Sequence, residues 1–424
     1  SYGPGSTIQG GTPMADVKVT IDPTERGFDP VRLDRITTHF RRYVDDRLLP
    51  GWLIAVTRGG DTVFSDTYGH RDVEAGLPVE NDTIFRAYSM TKPITTVAAM
   101  MLWEEGAFEL KDPVYRYIPS FRDQRVYSSG SALAPATVPV ESPMAIWHLM
   151  THTSGLTYDF LNAHPVDQRY REAGFNWGAP AGMDLETGVD ALAAQPLVFQ
   201  PGTEWNYSMS TDVLGRVVEV VSGQSLDEFF RTRILEPLGM SDTGFHCPAD
   251  EHERLAALYS PTPGSRERFR NDPMGETAKT PPTFLAGGGG LVTTAGDYLR
   301  FTEMLRRGGE LDGVRLLGTR TLDYMTQNHL PGGADLTEYG RPLFAETAFD
   351  GVGFGLGFAV VIDPVATKTP SSVGEFNWGG AASTTFWVDP VEDLTAVLFT
   401  QLLPSSTHPL RNELRQLVYQ ALVD

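Results

Sequence analysis

The chain has 424 residues, of which 41% are hydrophobic and 21% charged, a balance that suits a globular enzyme and a length that can bury a large core in two lobes. Its formal net charge is −20; nucleic acid and anionic membrane surfaces both require a basic footprint, so neither is an expected partner. The single cysteine, Cys247, excludes an intramolecular disulfide, and no Cys/His cluster has metal-ligand spacing, so no metal or other cofactor is expected.

Residues 1–13, rich in Ser, Gly, Thr and Pro ahead of Met14, read as a tag remnant outside the fold. No apolar run after Met14 suits a signal peptide, and none reaches the ~18 residues of a membrane span, so a cytoplasmic location is the default expectation. Leu33, Ile36, Phe40, Val44 and Leu48 repeat at helical spacing and predict an amphipathic helix over 30–48, ended by Pro50-Gly51. Two β-rich runs, 52–58 and 62–69, flank Gly59-Gly60-Asp61 and predict a hairpin. A helical pattern then carries Met90, Ile94, Val97, Ala98, Met101 and Leu102.

Residues 119–142 carry Ser, Gly and Pro without periodicity and read as loop. A short helix is expected over 144–150. Tyr158, Phe160, Tyr170, Phe175 and Trp177 stand in an irregular stretch, 157–178, where the rings either line a pocket or pack the loop down. Helices are predicted at 211–222, on Leu214, Val217, Val218 and Val221, and near 225–236. Cys247, beside His246 on a loop, reads as a structural or surface thiol. The run Ala286-Gly287-Gly288-Gly289-Gly290 lacks the flanking strand and helix of a phosphate cradle, so it reads as a close backbone approach or a flexible bend. A helix is expected at 295–308, strands at 352–362, 373–378, 383–389 and 394–400, and a final helix on Leu410, Leu414, Leu417, Val418 and Leu422. The pattern predicts an α/β (α+β) fold. Residues 14–112 and 284–424 form an α/β lobe with an antiparallel sheet, and residues 113–283 form a mostly helical lobe.

Ser89-Met90-Thr91-Lys92 opens the second helical segment. Residues three apart share a helix face, so Ser89 Oγ and Lys92 Nζ can meet there. Burial lowers a lysine pKa and frees the neutral amine to act as a base, which is one way to activate a serine nucleophile. The simpler reading is a helix cap followed by a solvated lysine. Lysine is scarce: of Lys18, Lys92, Lys111, Lys279 and Lys368, only Lys92 follows a serine by three residues.

Two more blocks stand in order after it: Pro201-Gly202-Thr203-Glu204-Trp205-Asn206-Tyr207-Ser208 and Trp378-Gly379-Gly380. Around them stand His148 to Leu156, with His152-Thr153-Ser154-Gly155, and Glu236 to Thr243. In order and spacing these blocks resemble the serine β-lactamase and penicillin-binding-protein superfamily. Within it they resemble most the family VIII carboxylesterases related to class C β-lactamases. The resemblance implies a β-lactamase-like fold, with Ser89 as nucleophile and Lys92 and Tyr207 as its proton partners. It also implies an oxyanion hole from the backbone N–H groups of Ser89 and Ala381. Trp378, Gly379, Gly380, Met209 and Tyr158 are the expected substrate-contacting residues, and His152 is expected to bond backbone. Either Lys92 or Tyr207 can serve as the base, provided that its pKa is shifted down towards neutrality.

Two departures point away from β-lactams. Met209 stands where the β-lactamase Tyr-x-Asn block has its amide donor, and Trp378-Gly379-Gly380 stands where Lys-Thr-Gly would bind a carboxylate. No Gly-x-Ser-x-Gly elbow is present. The expected activity is hydrolysis of small or short-chain carboxylic esters. The alternatives are a β-lactamase or D-amino-acid peptidase, an acyltransferase, and an inactive scaffold.

Overall fold

The computed structural model describes residues 17–424; the tag remnant expected at 1–13 lies outside them. Helix α1, Pro30–Asp45, begins where Asp29 accepts hydrogen bonds from the Val31 and Arg32 N–H groups, with Pro30 supplying its fixed φ. It buries Leu33, Ile36 and Phe40. It ends before the expected Leu48 because Arg47 turns left-handed, with φ 61°.

Strand β1 is Gly51–Arg58 and β2 Asp61–Asp72. Gly59 and Gly60 join them with φ of 60° and 87°, the two positive values that a tight right-twisting hairpin turn demands. After β3, Leu77–Pro78, the remaining strands of this sheet come from the far part of the chain: β4 Val352–Phe354, β5 Ala359–Val361, β6 Phe376–Gly380, β7 Thr384–Asp389 and β8 Leu394–Phe399. The eight run β4-β5-β6-β7-β8-β1-β2-β3, antiparallel at every pairing. The stretch expected as one strand over 352–362 is two, because Gly357 turns the chain at φ 90°.

Side chains alternate across this sheet. Trp52, Ile54, Val56, Trp387, Ala396 and Leu398 pack with α1 and with α5, Leu410–Tyr419, through Leu410, Leu414 and Val418. Leu53, Ala55, Phe386, Val388, Val397 and Phe399 face the other way. They pack against α2, Thr91–Glu104, and α4, Ala295–Arg306, through Ile94, Val97, Tyr298 and Phe301. Both faces are covered, so β1, β7 and β8 are buried along almost their whole length.

Residues 113–283 include helix α3, Ser210–Ser222, and several shorter helices. They also include two hairpins, Arg125–Gly130 with Pro135–Pro139 and Tyr259–Pro261 with Arg268–Arg270. The first lies in the stretch expected as loop. Most of its residues are exposed or half-buried, so it carries no apolar alternation to read. A helix, Pro165–Glu172, likewise occupies part of the stretch read as irregular. Among the described residues no helix is long and apolar enough to cross a membrane.

One further pairing positions the site. Ile84–Arg86 runs antiparallel to Val292–Thr294, and Ala87 N–H donates to Leu291 O at 2.9 Å. This brings the glycine run beside the Ser89 turn. Phe40 is fully buried and meets the edge of Trp52. Phe40→Ala should therefore cost about 3–5 kcal/mol, read as a lower urea midpoint at an unchanged m-value.

Candidate active site

Residues Tyr88–Met90 form a single tight turn ahead of α2. Tyr88 is held at φ 44°, a conformation that a non-glycine residue keeps only when its surroundings fix it. The Ala87 backbone supplies that constraint, accepting from Met90 N–H at 3.0 Å and donating to Leu291. Ser89 therefore precedes the helix, and the helix-cap reading fails, because its side chain caps nothing.

Lys92, in the first turn of α2, is 2% exposed. Its Nζ lies 3.1 Å from Ser89 Oγ, 2.7 Å from Tyr158 Oη, 3.0 Å from Tyr207 Oη and 2.6 Å from Gly288 O. The carbonyl can only accept, so one N–H is committed to it, whereas the hydroxyls can donate to an amine lone pair. Burial pulls the Lys92 pKa down from 10.5 to about 7, against the opposing pull of the Asp212 and Glu346 carboxylates. Tyr207, 1% exposed, also donates to Ser89 Oγ. Burial, then Glu346, holds its phenol well above the ordinary value, and the bond to Ser89 only partly opposes this. Of the two candidate bases, the lysine shifts towards neutrality and the tyrosine moves away.

The glycine run is a close backbone approach. A Cβ on Gly288 would stand 2.5 Å from Asp212 Oδ2, while Gly288 N–H donates to Asp212 Oδ1 at 3.0 Å. Thr95 Oγ1 donates to Gly287 O at 2.6 Å. Asp212, buried in the first turn of α3, was not legible in the sequence, where an acidic residue at a helix start is commonplace.

Trp378 on β6 sets its ring edge-on to Tyr207 at 5.3 Å. His152 packs against both rings, 5.2 Å from Tyr207 and stacked at 6.3 Å on Trp378. Its Nδ1 pairs with Ser208 Oγ at 3.2 Å instead of the expected backbone group, and burial keeps it neutral, with a pKa well below 6.5. The two glycines after Trp378 make room. A Cβ on Gly379 would meet Arg411 Cζ at 2.4 Å, and one on Gly380 would meet Ala87 O at 2.4 Å. Strand β6 thus ends against the Ser89 turn. Ala381, 8% exposed, comes next, packed with Tyr88. Met209 contributes no donor to the group: its side chain joins the apolar core and its N–H bonds Thr157 O at 3.2 Å.

The aromatic stretch divides. Tyr170 and Phe175 are fully buried, whereas Tyr158 reaches Lys92 and stacks on Phe160 at 4.5 Å, which stacks on Trp177 at 4.2 Å. Cys247 lies apart, a buried thiol whose pKa burial pushes up to about 11.

The sequence profile of the family described as Beta-lactamase matches residues 36–420. The chain belongs to the beta-lactamase family. Protein Rv1367c of Mycobacterium tuberculosis is 37% identical over 378 residues, covering 88% of this chain and 91% of its own. Esterase EstB of Burkholderia gladioli is 33% identical over 417 residues, covering 94% and 98%. A solved structure described as EstCE1, a hydrolase with promiscuous acyltransferase activity, matches with a TM-score of 0.76 at 27% identity, covering 93% of this chain and 99% of that one. The chain is thus a serine hydrolase on a β-lactamase-like fold, and its kinship with EstB agrees with the carboxylesterase branch that its motif order resembles.

The Lys92 shift has a stability signature. Between pH 7 and 10 the unfolded chain still binds the proton that the folded chain has released, so folding stability rises with pH across that window. Measured by urea unfolding, the stability of the wild type relative to Lys92→Met should climb from pH 7 to pH 10 and stay flat below pH 6.

Proposed function

We propose that this protein is a carboxylesterase that hydrolyses small, uncharged carboxylic esters through an acyl-enzyme at Ser89. The observation that carries the reading is the amine of Lys92, held 3.1 Å from Ser89 Oγ with a pKa brought to about 7. A base poised near the working pH combines a useful neutral fraction with a useful proton affinity.

In this reading Ser89 Oγ attacks the ester carbonyl and its proton passes to Lys92. Tyr207, still protonated because burial raises its pKa, relays a proton to the leaving alkoxide and is recharged by Lys92. The N–H groups of Ser89 and Ala381 receive the oxyanion. Water enters by the same route in reverse and frees the acid. Lys92 is favoured over Tyr207 as the base because their pKa values move in opposite directions. The preference for esters over β-lactams rests on Met209, which has no amide, and on Trp378, which offers no cation to a carboxylate. Kinship with EstB, named an esterase, supports it.

A second reading keeps the acyl-enzyme and replaces water by an alcohol. It is favoured by the match to EstCE1, whose description names promiscuous acyltransferase activity.

With p-nitrophenyl butyrate as substrate, Ser89→Ala should lower turnover by at least about 1,000-fold, and Tyr207→Phe by about 100- to 10,000-fold. Retained turnover in Ser89→Ala would refute the acyl-serine, and preferred turnover of nitrocefin would make the protein a β-lactamase. The kcat/KM profile should rise through pH of about 7 as Lys92 loses its proton; a profile falling through that pH would rule out the neutral amine as base.

A further inference from the structure

The turn that follows Trp378-Gly379-Gly380 is gripped from behind. Arg411, in the first turn of α5, places Nη2 3.0 Å from Gly380 O and 2.9 Å from Thr384 O. These carbonyls belong to the residue pair that closes the β6–β7 hairpin, and Ala381 stands between them. The guanidinium reaches them only because Gly379 has no side chain. On its other side the same Nη2 meets Glu346 Oε2 at 2.5 Å, and that oxygen also accepts from Ser405 Oγ at 2.9 Å. Glu346 is 1% exposed. On the opposite face of the turn, Gly380 presses on Ala87 O, two residues before Ser89.

This pair is a poor device for stability alone. A buried ion pair is often no better than packed apolar side chains. Here Arg411 Nε and Glu346 Oε1 are buried without a hydrogen-bond partner among the described residues, which adds a further cost. What the pair does supply is geometry, since one charged nitrogen ties both ends of a tight turn to a third element. Strain and unpaired polar groups gather where position matters more than stability.

We propose that Arg411, anchored by Glu346, is a positioning residue that sets the turn bearing Ala381 so that its N–H meets the oxyanion formed on Ser89. The proposal rests on the reading of Ser89 and Ala381 given above. Arg411 touches no reacting atom; it acts through the backbone it holds. Its effect should therefore appear where charge develops on the carbonyl oxygen and not where the ester first binds.

The experiment compares Arg411→Ala, Arg411→Lys and Glu346→Gln with the wild type on p-nitrophenyl butyrate, with melting temperatures recorded alongside. Loss of a whole oxyanion donor costs ~100- to 1,000-fold in kcat. A displaced donor should cost less, so Arg411→Ala is expected to lose about 10- to 100-fold in kcat, with KM within about twofold. The rate at which a p-nitrophenyl alkylphosphonate labels the serine, read by mass spectrometry, should fall in the same proportion, because the label passes through a charged trigonal-bipyramidal state at the same oxygen. Guanidinium added to Arg411→Ala should restore part of kcat, whereas Arg411→Lys, whose ammonium lacks the planar fork, should stay slow without rescue. A folded Arg411→Ala with kcat near wild type overturns the proposal. So does a loss confined to KM, or a loss that follows the melting temperature and resists guanidinium. Failure of the underlying reading looks different: Ser89→Ala would then keep its turnover whatever Arg411 does.

Discussion

A primary amine held among three hydroxyls and a carbonyl, away from bulk water, cannot bind its proton as tightly as it would in solution, and much of the structure around Lys92 keeps it in that condition. Tyr158 and Tyr207 cover it with their rings, at 5.3 and 4.6 Å from Nζ. The glycine run approaches closely enough to offer a carbonyl. Two carboxylates, Asp212 and Glu346, pull the other way. Desolvation alone would lower the pKa further, and direct pairing with a carboxylate would hold the charge in place. The balance near pH 7 comes from setting the carboxylates close enough to be felt without bonding the amine directly.

Several of these features were legible in the sequence and others were not, for identifiable reasons. Ser89, Lys92, Tyr207 and Trp378 sit in blocks whose order carries information, and the helix stripes and strand runs around them follow from apolar periodicity. Tyr158 was expected at the substrate, but its bond to Lys92 was not legible, because an aromatic residue on a loop has no period to show which way it faces. Asp212, Glu346 and Arg411 left no local mark. Their significance comes from what the fold lays beside them, and each would pass for a helix-start acid, a loop acid or a helix-start base. The backbone bond expected of His152 fails for a similar reason: Ser208 lies far away in sequence, and only the fold brings its hydroxyl to the ring.

The glycines have local and distant uses that the letters alone do not separate. Gly59 and Gly60 serve the chain at their own positions, through φ values that other residues resist. Gly288, Gly379 and Gly380 serve something distant: a carboxylate, a guanidinium and a backbone carbonyl occupy the space that their side chains would have filled. At Gly288 and Gly379 the missing methyl brings two segments close enough for direct hydrogen bonding, and at Gly380 it lets the strand end press on the Ser89 turn.

Strand β1 pairs with β8 through Leu53↔Phe399 and Ala55↔Val397, so the first strand of this large sheet lies beside its last. A ribosome delivers Ser89 and Lys92 long before it delivers Gly380, Ala381 and Arg411. Throughout that interval α2 has no finished sheet to rest on, and the edge of β1 that pairs with β8 has no partner. Pairing between such distant segments is slow to nucleate. The turn at Ala381 and the guanidinium that holds it are therefore the last parts of the proposed site to be made.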